Sequence, residues 1–148
     1  MRQIILNLWA ILLAFPVATL ADICPEKPPA TKHYAETVSC PAAAIKTEGQ
    51  KYAGDHYDWD CFSLVPVTNE TVSYSSAKHN ALLPSVNSLL PAAEKDFKSR
   101  IWMVSEVQCG GNNKVTVRYW GGGNCTRCVQ QVLYRFSADG KLEEAKLK

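Results

Sequence analysis

The chain has 148 residues, of which 47% are hydrophobic and 20% charged. That is ordinary globular usage, and it excludes disorder over most of the length. Lys plus Arg number 16 against 14 Asp plus Glu, a net charge of +2, which gives no support to nucleic acid as a partner. The length suits a single domain. Six cysteines beside two methionines are the strongest compositional signal.

Arg2 is the one charge before Asp22, and Ile4 to Leu20 is apolar apart from Asn7, Pro16 and Thr19. The stretch closes on Ala18-Thr19-Leu20-Ala21. A basic start, an apolar centre and a small-residue end make residues 1–21 a secretory signal peptide. A membrane anchor needs about 20 apolar residues without such interruptions. Residues 22–148 are then one exported domain, secreted or periplasmic, with no span left after cleavage. It keeps Cys24, Cys40, Cys61, Cys109, Cys125 and Cys128. An even cysteine count in an exported chain of this size reads as three disulfides.

Residues 22–38 open with Cys24-Pro25 and Pro28-Pro29 and read as an irregular arm. Ser39 to Lys46, with Pro41 and three successive alanines, reads as a short helix ended by Gly49. Tyr52 to Leu64 reads as extended, with Tyr57, Trp59 and Cys61 on one face and His56, Asp58 and Asp60 on the other. Thr71–Tyr74 is a short strand. Pro84 and Pro91 divide the helical signal of residues 81–99, and Pro91–Lys98 is its better half. Strands then follow at Ile101–Cys109, Lys114–Trp120, Val129–Phe136 and Lys141–Lys148, with turns at Gly110–Asn113 and at Ser137–Gly140. Trp120 opposite Val129 sets Val117 against Val132 and Val115 against Tyr134, with Arg118 and Gln131 on the other face. The expected class is α+β: an antiparallel β-meander with one or two short helices packed on one face, stapled by disulfides.

Cys125-Thr126-Arg127-Cys128 has redox spacing, but a thioredoxin-like pair opens a helix. The alternation after Cys128 is that of a strand, so the pair reads as a structural disulfide. His56, Asp58 and Asp60, with His33 and His79 elsewhere, read as a solvated face rather than a metal site. No nucleophile elbow, phosphate loop or metalloprotease motif occurs, and Gly121-Gly122-Gly123 precedes a strand where a phosphate cradle needs a helix. No catalytic residue, metal or cofactor is assigned. Asn69-Glu70-Thr71 and Asn124-Cys125-Thr126 match the glycosylation pattern, which matters only in a eukaryotic source.

Trp120 lies on the face away from Val115, Val117 and Tyr119, beside the glycine loop. Trp120, Arg118, Asn124 and Arg127 form the candidate binding group, since Trp and Arg are enriched at binding hot spots. The leader, the disulfides, the Ala-rich helix and the closing strand–Asp-Gly–strand resemble the layout of small periplasmic or secreted bacterial domains, among them lysozyme inhibitors and immunity proteins. That resemblance assigns a role to no residue. The chain reads as a binding or inhibitory module for another extracytoplasmic protein, rather than an enzyme. The alternatives are a small cell-wall hydrolase, a thiol oxidoreductase, or a carbohydrate-binding module with a glycan as partner.

Spacing also bears on cysteine pairing. Cys109 and the Cys125/Cys128 loop flank opposite ends of the Lys114–Trp120 strand, about 20 Å apart at about 3.3 Å per residue. A disulfide needs Cα atoms about 4.4–6.8 Å apart. Cys109 is therefore excluded from that loop; Cys109–Cys61, Cys125–Cys128 and Cys24–Cys40 is the expected set. For the leader, N-terminal sequencing and intact mass of exported protein should place the start at Asp22. A full-length species held in the membrane would contradict the leader.

Overall fold

In the computed structural model, which describes residues 30–53, 67–94, 100–122 and 125–148, the C-terminal third follows its alternation. Strands β5 (Met103–Cys109), β6 (Lys114–Trp120), β7 (Val129–Phe136) and β8 (Leu142–Leu147) form an antiparallel sheet in chain order. The β6–β7 register is the expected one: Trp120 faces Val129, Val117 faces Val132 and Val115 faces Tyr134. Val115, Val117, Val132 and Tyr134 are wholly buried on the inner face.

What covers that face differs from the expectation. Instead of helices, the first sheet of the chain does so, an antiparallel one built from β1 (Thr31–Ser39), β2 (Ala44–Tyr52), β3 (Val67–Ser75) and β4 (Asn80–Leu82), β5–β8 being the second sheet. The fold is thus mainly β, two four-stranded sheets among the described residues, rather than α+β. Both sheets feed one core, in which Ile45 and Tyr74 meet Val115, Val132, Tyr134 and Phe136. The Tyr74 and Phe136 rings lie 5.1 Å apart and tilted, a favourable aromatic geometry.

Two N-terminal expectations are corrected here. Residues from Thr31 on are strand, not irregular arm, and the Ala-rich segment is a hairpin, not a helix. Pro41 and Ala42 make the turn, closed by the Cys40 N–H donating to the Ala43 carbonyl at 3.2 Å. Proline suits the first position of a turn as well as the first of a helix. The decision comes from the residues beyond it: Ile45, Thr47 and Gly49 are buried, while Lys46 and Gln50 are exposed. That is a period of two. Alanine's helix preference is a few tenths of a kcal/mol to about 1 kcal/mol per residue, and it loses to burial of Ile45 in the shared core.

Helix is confined, among the described residues, to one α turn and one 3-10 turn. The α turn is α1 (Val86–Leu89), with the Ser85 side chain capping the Ser88 N–H and Val86 and Leu90 buried. It lies earlier than the expected Pro91–Lys98 helix. Pro91 follows Leu90, and the residue before a proline is driven out of the α region; residues 91–94 instead make a turn, Glu94 N–H to Pro91 carbonyl at 3.0 Å. The remainder of that helix lies outside the described residues. So do the leader, Cys24, and the face pattern of residues 56–61. No helix among the described residues is long and apolar enough to cross a membrane.

Two disulfides are formed among the described residues. Cys125–Cys128 is the expected pair, and Cys109 avoids that loop as the strand length requires. Its partner is Cys40, at a Cα separation of 5.3 Å, which corrects both Cys109–Cys61 and Cys24–Cys40. The reason is the first sheet: Cys109 ends β5 opposite Val115, and the β1–β2 hairpin places Cys40 over that end. Glycine is required at Gly140, which has φ +81°, and where a Cβ would lie 2.3 Å from the Ser76 Cβ. There the β7–β8 turn presses on the β3–β4 turn.

Cys40–Cys109 spans 69 residues and joins the sheets. On the chain-entropy model, closing such a loop is worth about 4 kcal/mol, and closing a three-residue one less than half as much. Replacing Cys40 and Cys109 by alanine should lower the unfolding free energy by up to about 4 kcal/mol in urea titration. Replacing Cys125 and Cys128 should cost less.

Candidate functional site

The outer face of the second sheet carries Trp120 and Arg118. Position 120 points opposite to Tyr119, so burial of Val115, Val117 and Tyr119 turns Thr116, Arg118 and Trp120 outward. Trp120 is half-buried and Arg118 exposed. With Ser105, Glu106 and Val129 they surround an open depression of about 460 Å³. Lys114, Lys146 and Lys148 are exposed on the same face, and the Lys148 Nζ donates to Thr116 Oγ1 at 3.1 Å. Arg135 is there too, with Glu144 at 3.4 Å. The face is therefore net basic, around one indole ring.

The other two candidate residues stand differently. Arg127 lies on the 3-10 turn Thr126–Cys128 and forms an ion pair with Glu94 at 2.5 Å. Asn124 lies outside the described residues, as does the side chain of Asn69. His33 is exposed on β1, and His79 sits 3.3 Å from Asp139 across two turns. The Asp139 carboxyl is held down to about 2, first by the Ser137 hydroxyl and then by His79. Among the described residues no three His, Cys, Asp or Glu converge.

Two groups of residues were not singled out by the sequence. The first surrounds the loop after β6. Arg100 donates through Nη1 to the carbonyls of Gly121 at 3.2 Å and Gly122 at 3.1 Å, and to Cys128 Sγ at 3.2 Å. Asn87 of α1 positions it, donating to the Arg100 carbonyl at 3.1 Å and accepting from the Trp102 indole at 2.8 Å. Trp102 in turn lies on Gly121, where a Cβ would come within 2.9 Å of the ring. The first glycine of the run is thus a close-packing requirement.

The second group is Glu70, Tyr34 and the β5 backbone. Glu70 lies on the inner side of β3, in the wall between an inner cavity of about 360 Å³ and a more open cleft of about 610 Å³. Its carboxylate accepts from the Tyr34 hydroxyl and from the Val104 N–H, the latter at 2.6 Å. One side chain of the first sheet thereby satisfies a backbone donor of the second. Burial raises the Glu70 pKa, and Glu36 adds to this, while the two hydrogen bonds oppose it. Tyr34 is pushed up by burial and by its bond to Glu70. The signal was available: Glu70, Val72 and Tyr74 share one side of an alternating strand, so a carboxylate falls in an apolar series.

No protein-family model, no curated protein and no solved structure matches the chain.

A raised carboxyl pKa means that the folded state binds the proton more tightly than the unfolded one. The associated stability is full below the ordinary value of 4.5 and is lost as pH rises through the higher folded value. Urea titrations of wild type and Glu70→Gln should therefore show a stability difference that moves against the wild type as pH rises above the ordinary carboxyl value of 4.5. A difference moving the other way would mean that Glu70 is stabilised as the anion.

Proposed function

We propose that the chain is an exported, disulfide-stapled module that binds, and thereby inhibits, another extracytoplasmic protein through the outer face of its second sheet. The observation that carries this is the placement of Trp120 and Arg118 around one depression on a basic sheet face. An indole supplies a large contact area at small entropic cost, and Arg supplies directed hydrogen bonds. The surrounding Lys114, Lys146 and Lys148 favour a partner with an acidic surface, which they would steer from a distance. Export rests on the leader in residues 1–21 and agrees with the disulfides, which persist in oxidising compartments.

The test is capture from an extracytoplasmic extract on mature wild type and on two variants. Trp120→Ala should weaken binding by about 2 kcal/mol or more, with little change in melting temperature. Arg118→Glu should weaken it and reduce its salt dependence. Equal capture by all three, or binding only to glycans on an array, would overturn the reading. A large fall in melting temperature with binding intact would make Trp120 a structural residue instead.

A further inference from the structure

We propose that Cys125–Cys128 is a thiol-exchange site, opened and closed by an external dithiol, in which Arg100 stabilises the departing Cys128 thiolate. This does not rest on the binding face. The two sulfurs stand in unlike surroundings: Cys125 is exposed, whereas Cys128 is only 2% exposed. Burial alone disfavours a thiolate. Here the Arg100 guanidinium lies 3.2 Å from Cys128 Sγ, held in place by the Gly121 and Gly122 carbonyls. Arg127, between the cysteines, is paired with Glu94, so among the described residues Arg100 is the cation aimed at the sulfur. Closing three residues of chain constrains the unfolded state far less than the 69-residue link of Cys40–Cys109. Of these two bridges, Cys40–Cys109 thus contributes the larger share of stability.

The chemistry balances as ordinary exchange. A thiolate of the external dithiol attacks the accessible Cys125 Sγ. The S–S bond breaks, a mixed disulfide forms at Cys125, and Cys128 leaves as a thiolate beside Arg100. A lower leaving-group pKa speeds this step. The second thiol of the dithiol, losing its proton, attacks its own sulfur in the mixed disulfide and expels Cys125, which takes up a proton. The dithiol is oxidised to a disulfide and the protein reduced by two electrons; the reverse sequence oxidises the protein.

Native mature protein should be treated with dithiothreitol without denaturant, then alkylated and mapped by mass spectrometry. Cys125 and Cys128 should label at least tenfold faster than Cys40 and Cys109. Arg100→Gln should slow this about tenfold, whereas Lys78→Gln, at the far end, should leave it within twofold. In a Cys125→Ser chain, which keeps Arg100, the Cys128 thiol should titrate below the free-cysteine value of about 8.5, read from thiolate absorbance. The two disulfides opening together, an Arg100→Gln chain opening as fast as wild type or faster, or a Cys128 thiol titrating at or above the free value would each overturn the proposal.

Discussion

The inner face of β6 and β7 holds the residues most completely removed from water, and the other elements are arranged to keep them so. Val115, Val117, Val132 and Tyr134 are fully buried there. Each buried aliphatic or aromatic side chain contributes on the order of 1.5–3 kcal/mol, so a sheet carrying them is unstable until something covers it. The cover is the first sheet, through Ile45 and Tyr74. Tyr134 makes the fit specific as well as apolar. Its hydroxyl donates to the Pro84 carbonyl at 2.8 Å and lies 3.0 Å from the Tyr119 hydroxyl. Burial raises its pKa to about 12 and that of Tyr119 further, so both remain neutral and bonded at physiological pH.

Once two sheets share that core, their connections have consequences at both ends. At one, the β1–β2 hairpin comes over the end of β5, which brings Cys40 to Cys109. The β7–β8 turn there packs on Ser76 through Gly140. At the other, α1 and Trp102 close over Gly121 and set Arg100 against the sulfur of Cys128. Between the two ends, Glu70 bonds across from β3 to the β5 backbone. Among the described residues, Arg118 and Trp120 lie on the outer face of the second sheet, away from these contacts.

Where the chain's own periodicity was strong, it and the fold agree. Lys114–Trp120 and Val129–Phe136 alternate, the turns of this third of the chain carry Gly, Asn and Asp, and the register of β6 on β7 follows from pairing apolar with apolar. Trp120 and Arg118 were assigned to the outer face by the same parity, and they lie there. The failures cluster where a local preference was contested. Pro41 and the alanines fit a helix start and a hairpin turn equally well, and only the burial of Ile45, Thr47 and Gly49 separates the two. Glu70 stood one residue before the expected strand, so its inward position did not register.

Local pattern by itself determined the strands of the second sheet, the register of β6 on β7, the outward position of Trp120, and the exclusion of Cys109 from the Cys125–Cys128 loop. All of these depend on one strand and its neighbour, whose spacing is set by backbone geometry. Only the tertiary structure decided what covers the inner face, which cysteine meets Cys109, and which charged groups meet across the sheets. Those contacts join residues far apart in the chain: Arg100 to Cys128, Glu70 to Val104, Cys40 to Cys109. Their formation depends on how two sheets stack, and a period-two pattern states that a face must be buried without stating what will bury it.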